Sequence, residues 1–258
     1  MSCPVWCGGF STASSRSERR SSRPWRTGGP TTSASDPRIA VSCSQCCGLE
    51  RQFDDSHARK NLRRFRRKGP ARATRWLLGA VAQDGVEGRT FIDVGGGIGA
   101  IQHELMARGA AGGTHSDAAP AFLRAARSEA EARGYAERIR YVDGDFVERA
   151  RELPAADLVT LDRVVCCYPD MPALLGAAAP LAKRVLGLVM PRGGPLARFG
   201  VGLVNFIQRL RRHPFRVFAH EPSAVEAVVE SYGLVKRFER ASVVWRVLVF
   251  TRPEAGRP

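Results

Sequence analysis

The sequence predicts an α/β fold built on a doubly wound, mainly parallel seven-stranded sheet that ends in an antiparallel hairpin. Three observations carry that prediction. From residue 90 onward, short apolar runs alternate with segments of helical period, the rhythm of a parallel sheet covered by helices on both faces. The first run leads directly into the glycine-rich turn Gly95-Gly96-Gly97-Ile98-Gly99. The last two runs are separated by a short turn, too few residues for the crossover that parallel strands need.

Taken in order, residues 1–48 are rich in Ser, Arg, Gly, Pro and Thr and poor in large apolar side chains. Such a segment cannot bury enough surface to offset its ordering entropy, so a disordered basic tail is expected. From Leu49 the pattern turns helical, with Leu49, Phe53, Leu62 and Phe65 on one side and Arg63, Arg64, Arg66 and Arg67 in water. Gly69-Pro70 breaks that helix, and Pro70 suits the first turn of a second one carrying Ala73, Trp76, Leu77, Leu78 and Val81. Strands are then expected at 90–94, 111–115, 139–142, 157–161 and 185–190, with helices at 101–108, 120–134 and 171–181 between them. A helix over 223–232 and two strands, 234–238 and 243–250, close a domain spanning 49–252. Residues 253–258 read as a second short tail.

The net charge of +15 sits mainly at one end: residues 1–75 hold 16 Lys or Arg against 5 Asp or Glu. A phosphate-binding surface would spread charge over the folded body, so nucleic acid is not the expected partner. No stretch approaches the roughly 20 apolar residues that span a bilayer. The seven cysteines are odd in number and include two adjacent pairs, which argues against a disulfide framework and for a reducing, cytoplasmic location. Cys43 and Cys46 have one C-x₂-C spacing, but a structural zinc needs four ligands, and no metal site is expected.

The glycine-rich turn carries the chemistry. Glycines there bring backbone close to a ligand, and the following helix aims its first N–H groups at it. Gly95 to Ala100 also satisfy the dinucleotide pattern G-x-G-x-x-G/A, with Asp117 at the spacing of a ribose-binding acid, so this motif alone admits a nicotinamide cofactor. The absence of a following Lys-Ser or Lys-Thr excludes a P-loop. The whole constellation resembles the class I S-adenosylmethionine-dependent methyltransferases, whose first motif is acidic-x-Gly-x-Gly-x-Gly. Asp93, Gly95, Gly97 and Gly99 match it position for position. The resemblance implies S-adenosyl-L-methionine as cofactor, with Asp117 on the two ribose hydroxyls, Asp145 accepting from the adenine amino group and the Phe146 backbone N–H beside it. It also places Asp162, at the end of the fourth strand, near the transferred methyl group, either as a catalytic residue or as support for the methionine end. Ser116 stands where the family usually has an apolar strand residue.

Methyl transfer is an in-line displacement governed by positioning, helped at a hydroxyl acceptor by a general base. The candidate bases are His103, Asp162, Tyr168, His213 and His220, with His220 the first choice. Cys166-Cys167-Tyr168-Pro169 lacks the Pro-Cys order of cytosine C5 methyltransferases, and no Asn/Asp-Pro-Pro-aromatic signature follows the fourth strand. Both departures argue for a small-molecule acceptor rather than a nucleobase. Between residues 192 and 222 a helical insertion is expected: Leu196, Phe199, Leu203, Phe206, Ile207 and Leu210 recur at helical spacing among arginines. It reads as a lid over an apolar, anionic acceptor or as a peripheral membrane contact. The arrangement resembles ubiquinone-pathway and magnesium-protoporphyrin O-methyltransferases, which implies O-methylation of an apolar or acidic substrate. The alternatives are an RNA or protein methyltransferase docking through the basic N-terminal third, an NAD-dependent oxidoreductase, and a non-enzymatic cofactor-binding protein.

Overall fold

The computed structural model describes residues 48–49 and 52–253. The basic tail expected over 1–48 (Gly48 apart), its five cysteines and residues 254–258 lie outside them. The helical pattern expected from Leu49 is split: Gly48, Leu49 and Gln52 are helical, with the Phe53 N–H on the Leu49 carbonyl at 2.8 Å. A separate helix, α1 (Asp55–Lys68), starts where the Asp54 carboxylate accepts from the His57 N–H at 2.9 Å and caps it. Gly69, at φ +66°, ends α1 with its N–H on the Phe65 carbonyl. Pro70 lies ahead of α2 (Arg72–Val81) rather than in its first turn.

The remaining elements follow the predicted alternation. They are β1 (Thr90–Val94), α3 (Ala100–Ala107), β2 (Gly112–Asp117), α4 (Pro120–Ala132), β3 (Ile139–Asp143), the single turn α5 (Phe146–Arg149) and β4 (Ala156–Asp162). After them come α6 (Met171–Ala178), β5 (Ala182–Pro191), α7 (Gly194–Leu210), α8 (Pro222–Ser231), β6 (Val235–Ala241) and β7 (Trp245–Thr251). The seven strands form one sheet in the order β3-β2-β1-β4-β5-β7-β6. The strands from β3 through to β5 pair in parallel, whereas β7 runs antiparallel to both β5 and β6. The chain therefore inserts its last strand inside the sheet and leaves β6 at the edge. An all-parallel dinucleotide-binding sheet, ordered 3-2-1-4-5-6, has no such inserted strand.

Each face of the sheet carries its own apolar layer. On one, Leu77, Leu78 and Val81 of α2 and Ile101 and Leu105 of α3 pack against Phe91, Leu158 and Val249. On the other, Leu174 and Leu175 of α6 and Val225 and Val229 of α8 pack against Ile92, Leu161 and Leu186. A third, smaller cluster joins α1 to α4 through Ala58, Phe65, Ile98 and Phe122. Beside it the buried Glu129 carboxylate accepts from Arg66 Nε at 2.8 Å and from Arg133 Nε at 2.9 Å. These arginines hold Glu129 below the usual carboxylate range despite its burial. The α1 helix is thus clamped over the carboxyl ends of the strands, where open α/β sheets bind ligands.

Candidate functional site

The strand order reverses between the parallel neighbours β1 and β4, and the crevice at their carboxyl ends opens into a cavity of about 1130 Å³. Its floor is the turn after β1. Gly95, Gly97 and Gly99 have φ of +57°, +59° and +78°, a region that L side chains rarely adopt. At Gly96 the constraint is space: a Cβ would lie 2.5 Å from His115 Cε1 and 2.6 Å from Asp93 Oδ2. Only hydrogen lets this backbone settle onto the two side chains beneath it. Gly99 caps α3, whose N-terminus opens toward the cavity.

Asp93 and His115 are paired residues of neighbouring strands, both buried. Thr160 Oγ1 donates to Asp93 Oδ1 at 2.8 Å, while Asp93 Oδ2 and both His115 nitrogens have no protein partner among the described residues. Burial drives Asp93 up to about 8, and it drives His115 down to about 3. Both are therefore uncharged at neutral pH.

Asp117 ends β2. Its Oδ2 accepts from Gly97 N and its Oδ1 from Ala119 N, each at 2.8 Å. Burial raises it to about 6, against the pull of those two N–H donors. One N–H per oxygen fixes the plane of the carboxylate and leaves each oxygen a second lone pair. Two adjacent hydroxyls fit that pattern. The strand runs on to Asp117 through Ser116, which is fully buried with its Oγ unpartnered.

Asp145 caps α5 by accepting from Val147 N at 2.8 Å, and Tyr168 Oη donates to its carboxylate at 2.9 and 3.1 Å. Phe146 is buried behind it, at the cavity wall. Asp162 ends β4 facing the same space. It accepts from Thr74 Oγ1 at 2.7 Å and is forked by Arg163 through Nε at 3.0 Å and Nη2 at 2.9 Å. Arg163 itself sits at φ +64°, a conformation costing about 1–3 kcal/mol that the fold has to hold in place. Its N–H on the Val189 carbonyl at 2.9 Å helps to do so.

The structure thus gathers Asp93, Gly95, Gly97, Asp117, Asp145, Phe146 and Asp162 around one cavity, with Gly99 at the head of α3 below it. It does not bring the histidines there. His220 is not among the lining residues: its ring bonds through Nε2 to the Tyr168 carbonyl at 2.9 Å and stacks on Phe218. The ring anchors the turn that carries Tyr168. His103 is buried between Tyr135 Oη and the Ile98 carbonyl, and burial lowers it to about 4. His213 accepts from Phe215 N at 3.2 Å, away from the lining. Cys166 and Cys167 do line the cavity, with sulfurs 3.9 Å apart, each directed to the Arg163 carbonyl.

Sequence reasoning missed Thr74, Arg163, Arg64 and Trp245, which converge on the cavity from α2, the turn after β4, α1 and β7. No local pattern marks them, since only the sheet order brings them together. The outer part of the cavity is mostly apolar, with Phe53, Phe122, Phe215, Val217 and Trp245 in its wall.

Residues 71–176 match the model of the O-methyltransferase domain. A comparison with curated protein sequences gives no match. Among solved structures, the chain is similar to magnesium protoporphyrin IX methyltransferase from Synechocystis PCC 6803 with bound S-adenosylmethionine. The TM-score is 0.57 at 18% identity, over 87% of this chain and 100% of that one. An O-methyltransferase family protein from Burkholderia thailandensis gives a TM-score of 0.55 at 24% identity, over 70% of this chain and 56% of that one. At such identities these structures share the fold. The chain thus carries the O-methyltransferase domain match over residues 71–176 on a fold that it shares with these methyltransferase structures.

Proposed function

We propose that the chain methylates an oxygen of a small, largely apolar acceptor that carries an acidic group, with S-adenosyl-L-methionine held by Gly95, Gly97, Gly99, Asp117, Asp145 and Phe146. When bound, that cofactor supplies an electrophilic methyl group on a cationic sulfur. The residues fit such a group. Gly95 and Gly97 bring bare backbone to the cavity floor, and Asp117 keeps a lone pair on each oxygen for a diol. The Phe146 N–H belongs to the cap of α5, beside the Asp145 carboxylate.

One observation carries the choice of acceptor: arginine, and no histidine, lines the cavity among the described residues. A phenol or alcohol has to lose a proton as it attacks, and His220, His103 and His213 stand outside. A carboxylate arrives already deprotonated and needs only to be aligned. Arg163 lies at the inner wall with its Nη1 outside the pair with Asp162, and Arg64 lies at the rim. Either guanidinium can orient a carboxylate through charge-assisted hydrogen bonds. Asp162, forked by Arg163 and bonded to Thr74, positions that arginine. The aromatic wall excludes water from the apolar part of the acceptor. At about 1130 Å³ the cavity exceeds the roughly 300–1,000 Å³ of ordinary small-ligand sites, which leaves room for cofactor and acceptor together.

The test is transfer of tritiated methyl from S-adenosyl-L-methionine to a panel of aromatic carboxylic acids and matched phenols. Methyl esters release volatile label in mild alkali, whereas aryl ethers do not. Alkali-labile product from the acids supports the reading. Product from the phenols alone removes the carboxylate and returns the search to a general base. A reading in which α1 docks RNA through Lys60, Arg63 and Arg67 predicts steeply salt-dependent labelling of RNA and none of either panel.

A further inference from the structure

The helix α7 is packed inside out. At about 100° per residue, Phe199, Leu203, Phe206 and Leu210 fall within an arc of about 60°. Ala197, Val201, Asn205 and Gln208 form the opposite side. A helix packed on a soluble domain turns its large apolar stripe inward. Here the small and polar stripe is the half-buried one. Asn205 exchanges two hydrogen bonds with the Val217 backbone at 2.8 and 2.9 Å, and Gln208 reaches Gln52 at 3.2 Å. The apolar stripe faces out, with Phe199 72%, Leu203 49%, Phe206 58% and Leu210 69% exposed. A lid closed over the cavity would bury this stripe, and the bonds to Val217 hold it turned away.

Charge selects the occupant. Between residues 191 and 219 there are six arginines and no Asp or Glu. Arg198 is paired with Glu221, while Arg209, Arg211 and Arg212 are exposed at the end of the stripe. A second copy of the chain docked on this face would bring like charges together with no acid from the segment to offset them. An anionic lipid surface answers both features: the acyl boundary takes the aromatic and aliphatic stripe, and the headgroups take the guanidinium groups. The described residues include no helix long and apolar enough to cross a membrane, so contact is at the surface. The strap after α7 supplies Phe215 and Val217 to the cavity wall, on the side of the helix opposite the apolar stripe.

We infer that α7 is a docking surface for anionic membranes, with Phe199, Leu203, Phe206 and Leu210 inserted and Arg209, Arg211 and Arg212 on the headgroups. This inference does not depend on the acceptor proposed above. The test is flotation of the full chain with vesicles of equal phosphatidylglycerol and phosphatidylcholine, and with phosphatidylcholine alone. Binding is expected to the anionic vesicles only, weakening as salt rises. A Phe199→Asp, Phe206→Asp variant is expected to lose at least tenfold in bound fraction, and Arg209→Gln, Arg211→Gln, Arg212→Gln at least fivefold. Both variants are expected to bind S-adenosylhomocysteine as the parent does, which shows that they fold and separates this test from the acceptor test. Failure of the parent chain to float overturns the inference. So does a double aspartate variant that floats as well as the parent, because the basic N-terminal residues would then be the anchor. Concentration-dependent dimerisation lost in that variant, without flotation of the parent, assigns the face to a second copy instead.

Discussion

Asp117→Asn tests the cofactor contacts at the position where the geometry is most restrictive. The carboxylate takes an N–H from Gly97 on one oxygen and from Ala119 on the other, both at 2.8 Å. The amide of asparagine must turn its NH₂ toward one of those donors, so one side of the site loses both its backbone bond and its acceptor for a ribose hydroxyl. A hydrogen bond to a charged group is worth about 1.5–3 kcal/mol, and tenfold in affinity is about 1.4 kcal/mol. The variant is therefore expected to bind S-adenosylhomocysteine roughly 10- to 150-fold more weakly, measured calorimetrically at pH 7. A second arm uses titration. Burial raises Asp117 to about 6, so the group is charged above that pH and protonated below it. Parent affinity should be full near pH 7 and fall as pH drops toward 5, while the asparagine variant stays flat over that range. Binding by the variant within twofold of the parent, or a flat parent profile, refutes the assignment.

Three further outcomes follow from the same geometry. Gly96→Ala places a methyl group 2.5 Å from His115 and 2.6 Å from Asp93; a loss of about 1–3 kcal/mol in urea denaturation is expected, with cofactor binding abolished. Asp93 has a folded value of about 8 against 3.8 unfolded, so the folded state holds its proton longer and stability falls as pH rises from 4 to 8. His103 and His115, lowered to about 4 and about 3, act in the opposite sense only below about pH 6.5. Between pH 6.5 and 8 the parent should therefore lose stability in denaturant titrations and Asp93→Asn should lose less. Glu129, held low by Arg66 and Arg133, stabilises the fold above its unfolded value, and that contribution disappears as pH falls. Glu129→Gln is expected to lower stability by about 1–2 kcal/mol at pH 7, the half-exposed arginines moderating the loss, and to narrow the gap to the parent in acid.

The strands were legible in the sequence because most are apolar runs bounded by glycine or polar turns, as Thr90–Val94 and Ala156–Asp162 show. The second strand was harder to read, since Gly112 to Asp117 contains no large apolar residue. Its Thr114, His115 and Ser116 are buried by neighbouring strands, a consequence of sheet order and not of local pattern. The glycine turn was readable from its spacing after a strand, and Asp117, Asp145 and Asp162 from the resemblance of their surroundings to methyltransferase motifs. The acceptor side was not: Arg163, Thr74 and Trp245 meet only after the chain has folded. The same limit applies to α7, whose period revealed an apolar stripe but not that Asn205 and Gln208 would turn it toward solvent. The chemistry of His220 suggests a base, whereas the fold uses its ring to hold the Tyr168 carbonyl.

Equilibrium titration of the full chain with S-adenosyl-L-methionine, S-adenosylhomocysteine and NAD tests the central claim most directly, because the glycine turn alone admits both kinds of cofactor. Saturable one-to-one binding of the two sulfur nucleosides, and none of NAD, is expected. Saturable binding of NAD without either of the others would contradict it.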